Sequence, residues 1–281
     1  MSLFAQVYRS FRLDWEFISR SNEPFAYKSG FLKEKYRIKI KHFFRPFSLG
    51  ISSARIGSRE IFYESQYGLS GFQSLLSRDQ YLIGLSNIKH ANVIIDVGAN
   101  VGFFGEAIIN LFPRAQVYCL EPILPIFECL EKNMQSQPSI HTFNLAISDT
   151  DGELVMEFDP NDTVLAKIAP SGGLGIHVRA ITLDQFVDQN NITRIDILKV
   201  DTETYEAHVL RGAKKALAMT RYIFIELTVE NNKNYTISSL MRMLNGDGFN
   251  FQILSFRNYD GKSMGKVRVF DCFMENLDYK L

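Results

Sequence analysis

From about residue 92 onward the chain alternates short apolar runs with amphipathic segments, and this alternation restricts the fold more than any other feature. The runs are Ala91–Val97, Gln116–Leu120, Ile140–Ile147, Ile195–Val200 and Tyr222–Leu227. Each is apolar throughout rather than on one face, the pattern of parallel strands covered on both sides. Helices are predicted over Gly105–Phe112, stopped near Pro113, then over Ile126–Met134, Tyr205–Leu217 and Ile237–Leu244. Phe249–Leu254 and Val267–Met274, joined by the turn Asn258-Tyr259-Asp260-Gly261-Lys262, read as a closing antiparallel hairpin. The expected architecture is α/β, a doubly wound sheet that is mostly parallel. The stretch 152–183 departs from the alternation. There GELVMEF and HVRAITL flank the Pro/Gly-rich APSGGLG, which predicts an inserted pair of strands around a mobile loop.

In an open α/β sheet the ligand lies beyond the carboxyl ends of the strands, where the winding reverses. The first such end reads Asp96-Val97-Gly98-Ala99-Asn100-Val101-Gly102. Its spacing is G-x-x-x-G, so the G-x-G-x-x-G dinucleotide fingerprint is not met. Glycines at Gly98 and Gly102 still allow a ligand or a neighbouring backbone to come close. Glu121 follows the second strand, 25 residues after Asp96, where a carboxylate can accept both hydroxyls of a ribose. Ser148 or Asp149, after the third strand, is placed to meet an adenine amino group. Asp96 is a candidate for the amino-acid end of the ligand, directly or through water. Carboxylates at three successive strand ends suit a cationic, hydroxyl-rich ligand and would repel a pyrophosphate. That favours S-adenosylmethionine, a sulfonium without phosphate, over NAD.

At these residues the sequence resembles the FkbM family of methyltransferases. The resemblance runs in order through IIDVGANVGFF (94–104), Glu121-Pro122, FNLAISDTDGE (143–153), AITLDQF (180–186), DILKVDTETYEAHVLRGA (196–213) and FIEL (224–227). It implies a class I, Rossmann-like methyltransferase acting on hydroxyl groups of sugars, glycolipids or secondary metabolites. One position departs from the family's usual Asp-x-Glu-Gly. Here the sequence reads Asp201-Thr202-Glu203-Thr204, with Thr in place of Gly. A Thr is strained there if the backbone needs positive φ, and narrows the acceptor pocket if it needs only space.

Methyl transfer to an alcohol needs an in-line acceptor and a group to take its proton. Asp201 and Glu203, at the end of the fourth strand, are the candidate catalytic residues. Asp201 has an alternative reading as the cap of the next helix or as a group that holds the cofactor. With Glu226 the same carboxylates have the chemistry to hold Mg2+, but the preferred reading is a site without metal. His208, placed on one helix with Glu203, reads as a partly buried helix residue. His177 and Arg179 flank the inserted loop. A base-methylating enzyme is disfavoured, because the Asn/Asp-Pro-Pro-aromatic turn is absent from this position. RNA ribose methylation, and cofactor binding without turnover, stay open as alternatives.

Residues 1–68 read as a basic N-terminal extension, helical or irregular, in front of a domain over 69–281. Lys and Arg outnumber Asp and Glu by 14 to 7 in residues 1–90, whereas the remainder is acidic. Phe4, Val7, Phe11, Trp15 and Ile18 recur at helical spacing and predict an amphipathic helix, packed on the domain or else used for membrane-surface contact or dimer formation. Residues 31–45 carry six Lys/Arg and one Glu among aromatics, which suits nucleic acid or peripheral contact with an anionic membrane, and equally a solvated strand face over 36–41. Cys119, Cys129 and Cys272 lack a metal or disulfide spacing and read as thiols in a reducing cytoplasm. Charge comes too early at the N-terminus for a secretory signal.

Overall fold

A computed structural model describes residues 14–15, 17–19, 25–44, 51–56, 59–63, 85, 88–159, 162–168, 175–228, 234–246, 248–258 and 269–280. Helical residues 14–15 and 17–19 precede α1 (Phe25–Phe44), followed by an antiparallel hairpin of β1 (Ser52–Ile56) and β2 (Arg59–Tyr63). The alternating half is β3 (Val93–Val97), α2 (Phe103–Leu111), β4 (Gln116–Leu120), α3 (Leu124–Met134) and β5 (Ile140–Phe143). Next come β6 (Ala146–Ser148), β7 (Gly152–Asp159), β8 (Asp162–Ile168), β9 (Ile176–Thr182), α4 (Leu183–Gln189) and β10 (Ile195–Val200). The chain continues through α5 (Glu206–Arg211), α6 (Lys214–Ala218), β11 (Thr220–Thr228), α7 (Ile237–Asn245), β12 (Phe251–Asn258) and β13 (Val269–Asn276).

Seven strands form the main sheet in the order β12-β13-β11-β10-β3-β4-β5. The five central and outer strands β11, β10, β3, β4 and β5 are parallel, and β13 returns antiparallel between β11 and β12. Winding runs outward one way through β3, β4, β5 and the other way through β10, β11. The reversal therefore falls between β3 and β10, which fixes the place of the cleft. All six residues of β10 are buried, as expected of a strand between two apolar layers. One layer contains Leu198, Val200, Leu210, Leu217 and Leu240, and the other Ile94, Ile108, Val117 and Leu130.

Four expectations are corrected. The single third strand breaks at Asn144 into β5 and β6, which belong to different sheets. Asn144 causes the break: its side-chain amide donates to the carbonyls of Glu121 (3.0 Å) and Pro122 (2.8 Å), turning the chain aside. The inserted pair becomes a four-stranded sheet, β6-β9-β7-β8; residues 169–174 of its Pro/Gly-rich loop lie outside the described residues. The helix over 205–217 is two helices meeting at Gly212, where a Cβ would lie 2.0 Å from the Ser148 carbonyl oxygen. Residues 36–41 are helical, not a strand. In α1 Phe31 and Lys35, four apart, share the buried side.

The N-terminal helix also differs from its expected stripe. Trp15 and Ile18 are exposed, and Asp14 and Phe17 are the buried pair. Asp14 accepts from Lys35 and from the Tyr36 hydroxyl, and the Phe17 and Phe31 rings meet at 5.0 Å, so polar satisfaction sets the helix's rotation. Phe4, Val7 and Phe11, and the turn residues 259–262, lie outside the described residues. Among the described residues, no helix is long and apolar enough to cross a membrane.

Candidate cofactor and acceptor site

The carboxyl ends of β3, β4 and β10 converge on one turn. Gly98 and Ala99 both donate their N–H to the Leu120 carbonyl at 3.0 Å, and the Asp201 N–H reaches Val97 O at 3.1 Å. Gly98 has φ 79°, and a Cβ there would lie 1.9 Å from the Asp201 carbonyl oxygen. Only glycine fits that position. Asn100 (φ 50°) and Gly102 (φ 95°) continue the left-handed path, and a Gly102 Cβ would meet the Leu130 and Met134 side chains of α3.

Glu121 is buried, and its two oxygens are fixed by separate backbone donors, Oε2 by Asn100 N–H and Oε1 by Ile123 N–H, each at 3.0 Å. The carboxylate is thus held rigidly against the glycine loop. Asn133 of α3 braces the same loop from behind. Its amide nitrogen donates to Val101 O (2.8 Å) and Phe62 O (2.9 Å), while its oxygen accepts from Phe62 N–H (2.8 Å). One buried side chain therefore joins β2 to the turn.

Ser148 is fully buried. Its hydroxyl shares a hydrogen bond with Tyr205 Oη at 2.9 Å, so Asp149 is the accessible member of the expected pair. Asp149 accepts from Arg211 Nε at 3.0 Å. Partial burial would lift its pKa, but the Arg211 bond, with His208 and the Arg211 charge, holds it below the ordinary carboxylate value. Tyr205 stacks flat on His208, ring centroids 4.0 Å apart. Burial and Arg211 lower the His208 pKa, leaving a neutral, half-buried imidazole. Tyr205 was not singled out in the sequence, because a tyrosine before a helix carries no motif.

Asp96 has no accessible surface and accepts from Lys199 Nζ at 3.0 Å. Lys199 also lies 3.2 Å from Asp201 Oδ2 and 3.3 Å from the Gly98 carbonyl. Burial opposes the lysine's charge, but Asp201 and Asp96 outweigh it and raise its pKa. Lys199 is the second functional residue the sequence hid. Its signal was a lone charge in an otherwise apolar strand, directly across the ladder from Asp96.

Asp201, Glu203 and Glu226 come together, half-buried, with one carboxylate oxygen from each within 4.8 Å of the others. Glu226 sits opposite Asp271 in the β11/β13 ladder. Burial, then repulsion from Asp201, Glu203, Asp271 and Glu206, raises its pKa well above the ordinary value. Glu203 (φ 51°) and Thr204 (φ 81°) are both left-handed and precede α5, so Glu203 and His208 do not share a helix. Nor does Asp201 cap α5. The buried Glu206 organises the turn instead, its Oε1 accepting from Thr202 N–H and Thr204 N–H at 3.1 Å and Thr202 Oγ1 at 3.2 Å. His177 pairs with Glu153 on the exposed face of the inserted sheet, which also presents Arg179.

A reversed parallel sheet with an antiparallel strand slotted beside its last parallel one, and a glycine turn backed by carboxylates, defines the class I methyltransferase architecture. Residues 96–260 match the methyltransferase FkbM domain, more than half of the chain, and the protein belongs to that family. It is 29% identical over 175 residues to the AMB antimetabolite synthetase AmbE of Pseudomonas aeruginosa, covering 48% of this chain and 8% of that protein. Similarity to the 2-O-methyltransferase NoeI of Sinorhizobium fredii is 26% over 151 residues, covering 48% of this chain and 62% of the relative. The hexuronic acid methyltransferase AglP of Haloferax volcanii is 27% identical over 147 residues, covering 51% of this chain and 59% of AglP. The chain thus spans less than two thirds of the length of each of these relatives.

Proposed function

We propose that the protein is a S-adenosylmethionine-dependent methyltransferase acting on a hydroxyl of a sugar, glycan or glycolipid, or secondary metabolite. The observation that carries this reading is the convergence of the carboxylates of Asp201, Glu203 and Glu226 beside the Gly98 turn. The relatives NoeI and AglP, named for 2-O- and hexuronic acid methylation, support a hydroxylated acceptor.

The residues present fit the cofactor. The Gly98-Ala99-Asn100-Val101-Gly102 turn, closed tightly against Asp201 and α3, shapes the floor of the site; Glu121 offers a rigid acceptor for ribose hydroxyls, and Asp149, with Ser148 behind it, an acceptor for the adenine amino group. Asp96 acts one step removed, through Lys199 and the Gly98 carbonyl. When bound, S-adenosylmethionine supplies a methyl group on a positively charged sulfur. Asp201 or Glu203 orients the acceptor hydroxyl and takes its proton. Burial and the neighbouring carboxylates raise the pKa of Glu226, which lies beside the proposed base. Lys199 keeps Asp201 oriented. The convergence of the three carboxylates supports a second reading, in which Asp201, Glu203 and Glu226 would hold Mg2+, which would supply a Lewis acid for the acceptor oxygen.

Calorimetric titration of S-adenosylmethionine and S-adenosylhomocysteine into wild type and Glu121→Ala tests the cofactor. Binding on the order of micromolar, lost in the variant, is expected. No binding to folded wild type would overturn the reading. Methyl transfer to a panel of sugars, run with and without EDTA, then separates the metal-free reading from Mg2+. Transfer to RNA ribose alone, or binding without any turnover, would replace the proposed acceptor class.

A further inference from the structure

The three most exposed large apolar side chains among the described residues are Phe25 (80%), Trp15 (69%) and Ile40 (60%), and all lie on the two N-terminal helices. At about 100° per residue, Phe25, Tyr36 and Ile40 fall within about 60° of one another around α1. Exposed Lys33 and Arg37 flank that side, Arg37 paired with Glu34. The opposite side of α1 carries the fully buried Phe31.

The preceding helix is tied alongside. Lys35 and Tyr36 both bond to Asp14, and Lys28 Nζ donates to the Ile18 carbonyl at 2.8 Å. With Asp14 and Phe17 turned inward, Trp15 and Ile18 project outward. The result is a buried ion pair beneath an apolar surface. Exposing that much aromatic and aliphatic surface to water is unfavourable, and fixed polar bonds hold it there.

We propose that this face docks on an anionic lipid bilayer, inserting Trp15, Phe25 and Ile40 at the headgroup level while the lysines and arginines meet the lipid charge. Residues 28–45 contain seven Lys/Arg against one Glu; with Lys35 buried against Asp14, six remain to complement an anionic surface. A two-fold contact between copies through the same face would oppose basic against basic. Single-stranded nucleic acid stacks on aromatic rings and gains little from the aliphatic Ile18 and Ile40. The inference does not depend on the transfer reaction.

Trp15 is the only tryptophan of the chain, so its fluorescence reports the face directly. The full chain should show a blue-shifted emission with vesicles containing phosphatidylglycerol, and brominated lipid should quench it. The shift should be weak with phosphatidylcholine alone and should fall as salt rises from about 0.05 to about 0.5 M. In a sedimentation assay Phe25→Ser with Ile40→Ser should lower vesicle binding at least about tenfold. A Lys33→Glu variant should lower it only at low salt. An unshifted Trp15 emission with anionic vesicles overturns the proposal. So does a shift produced by RNA, or by raising protein concentration, but not by vesicles.

Discussion

Thr204→Gly should stabilise the protein, although it removes a side chain. Thr204 sits at φ 81° and carries a branched Cβ, a combination that forces the side chain against the backbone. The left-handed conformation costs an L-residue about 1–2 kcal/mol. Glycine removes that cost but gives the unfolded chain more freedom, which returns about 0.5–1 kcal/mol. The backbone bonds that hold the turn survive the change: Glu206 still accepts from residue 204 N–H, and Asn234 still donates to its carbonyl at 2.9 Å. The lost bond from Asn234 to the hydroxyl is long, 3.5 Å, and exposed, so it subtracts little. The net gain is about 0.5–1 kcal/mol, or roughly 1–4 °C in Tm for a chain of this size. Scanning calorimetry on wild type, Thr204→Gly and Thr204→Ala isolates the cause, because Ala keeps the Cβ and so most of the strain. If Gly and Ala melt together, or Gly melts below wild type, the strain argument is wrong.

Glu226→Gln removes a carboxyl whose ionisation the fold resists. The folded protein keeps a proton that the unfolded chain releases above about pH 4.5, so native stability declines as pH climbs from there toward the raised pKa. The variant should therefore melt above wild type at about pH 8 and with it near about pH 4; equal shifts at both would point to packing instead. Gly98→Ala places a methyl 1.9 Å from the Asp201 carbonyl and should cost at least about 2 kcal/mol in urea unfolding, together with cofactor binding. Asn133→Ala strands the Val101 carbonyl and both backbone groups of Phe62, and should cost about 2–4 kcal/mol. Its cofactor affinity should drop even at temperatures where the variant is fully folded. Unchanged affinity there would leave Asn133 a purely structural residue.

What the sequence disclosed depended on whether local chemistry and tertiary demand agreed. In β10, where every residue is buried on a sheet covered on both faces, the run Ile195–Val200 could be read to its ends. The glycine turn was equally plain, because the positions that need left-handed backbone hold Gly98, Asn100 and Gly102. Reading failed where a distant partner decides. The break at Gly212 exists because Ser148's carbonyl lies against it, and Asn144's kink depends on carbonyls more than twenty residues earlier. Lys199 looked like an interruption in a strand until register set it across from Asp96. Asp96's bond to Lys199 was equally hidden, because an acid at a strand end reads the same whether it faces outward or inward. In the N-terminal helix, spacing alone favoured Trp15 and Ile18 as the inner face, and the polar needs of Asp14 reversed it.

The Asn133 brace has a consequence for where the working unit begins. The segment recognisable as a methyltransferase starts at residue 96, but the amide that shapes its ligand turn is shared with Phe62, in a hairpin well upstream. Cutting the chain at the border of likeness would leave two of that amide's three bonds unmade and bare the apolar side of Phe103, which packs against Phe62's neighbours. Ancestry and mechanics draw their boundaries at different residues here. Variation in the unrecognised upstream hairpin should therefore be felt as a change in how firmly the shared core grips its ligand.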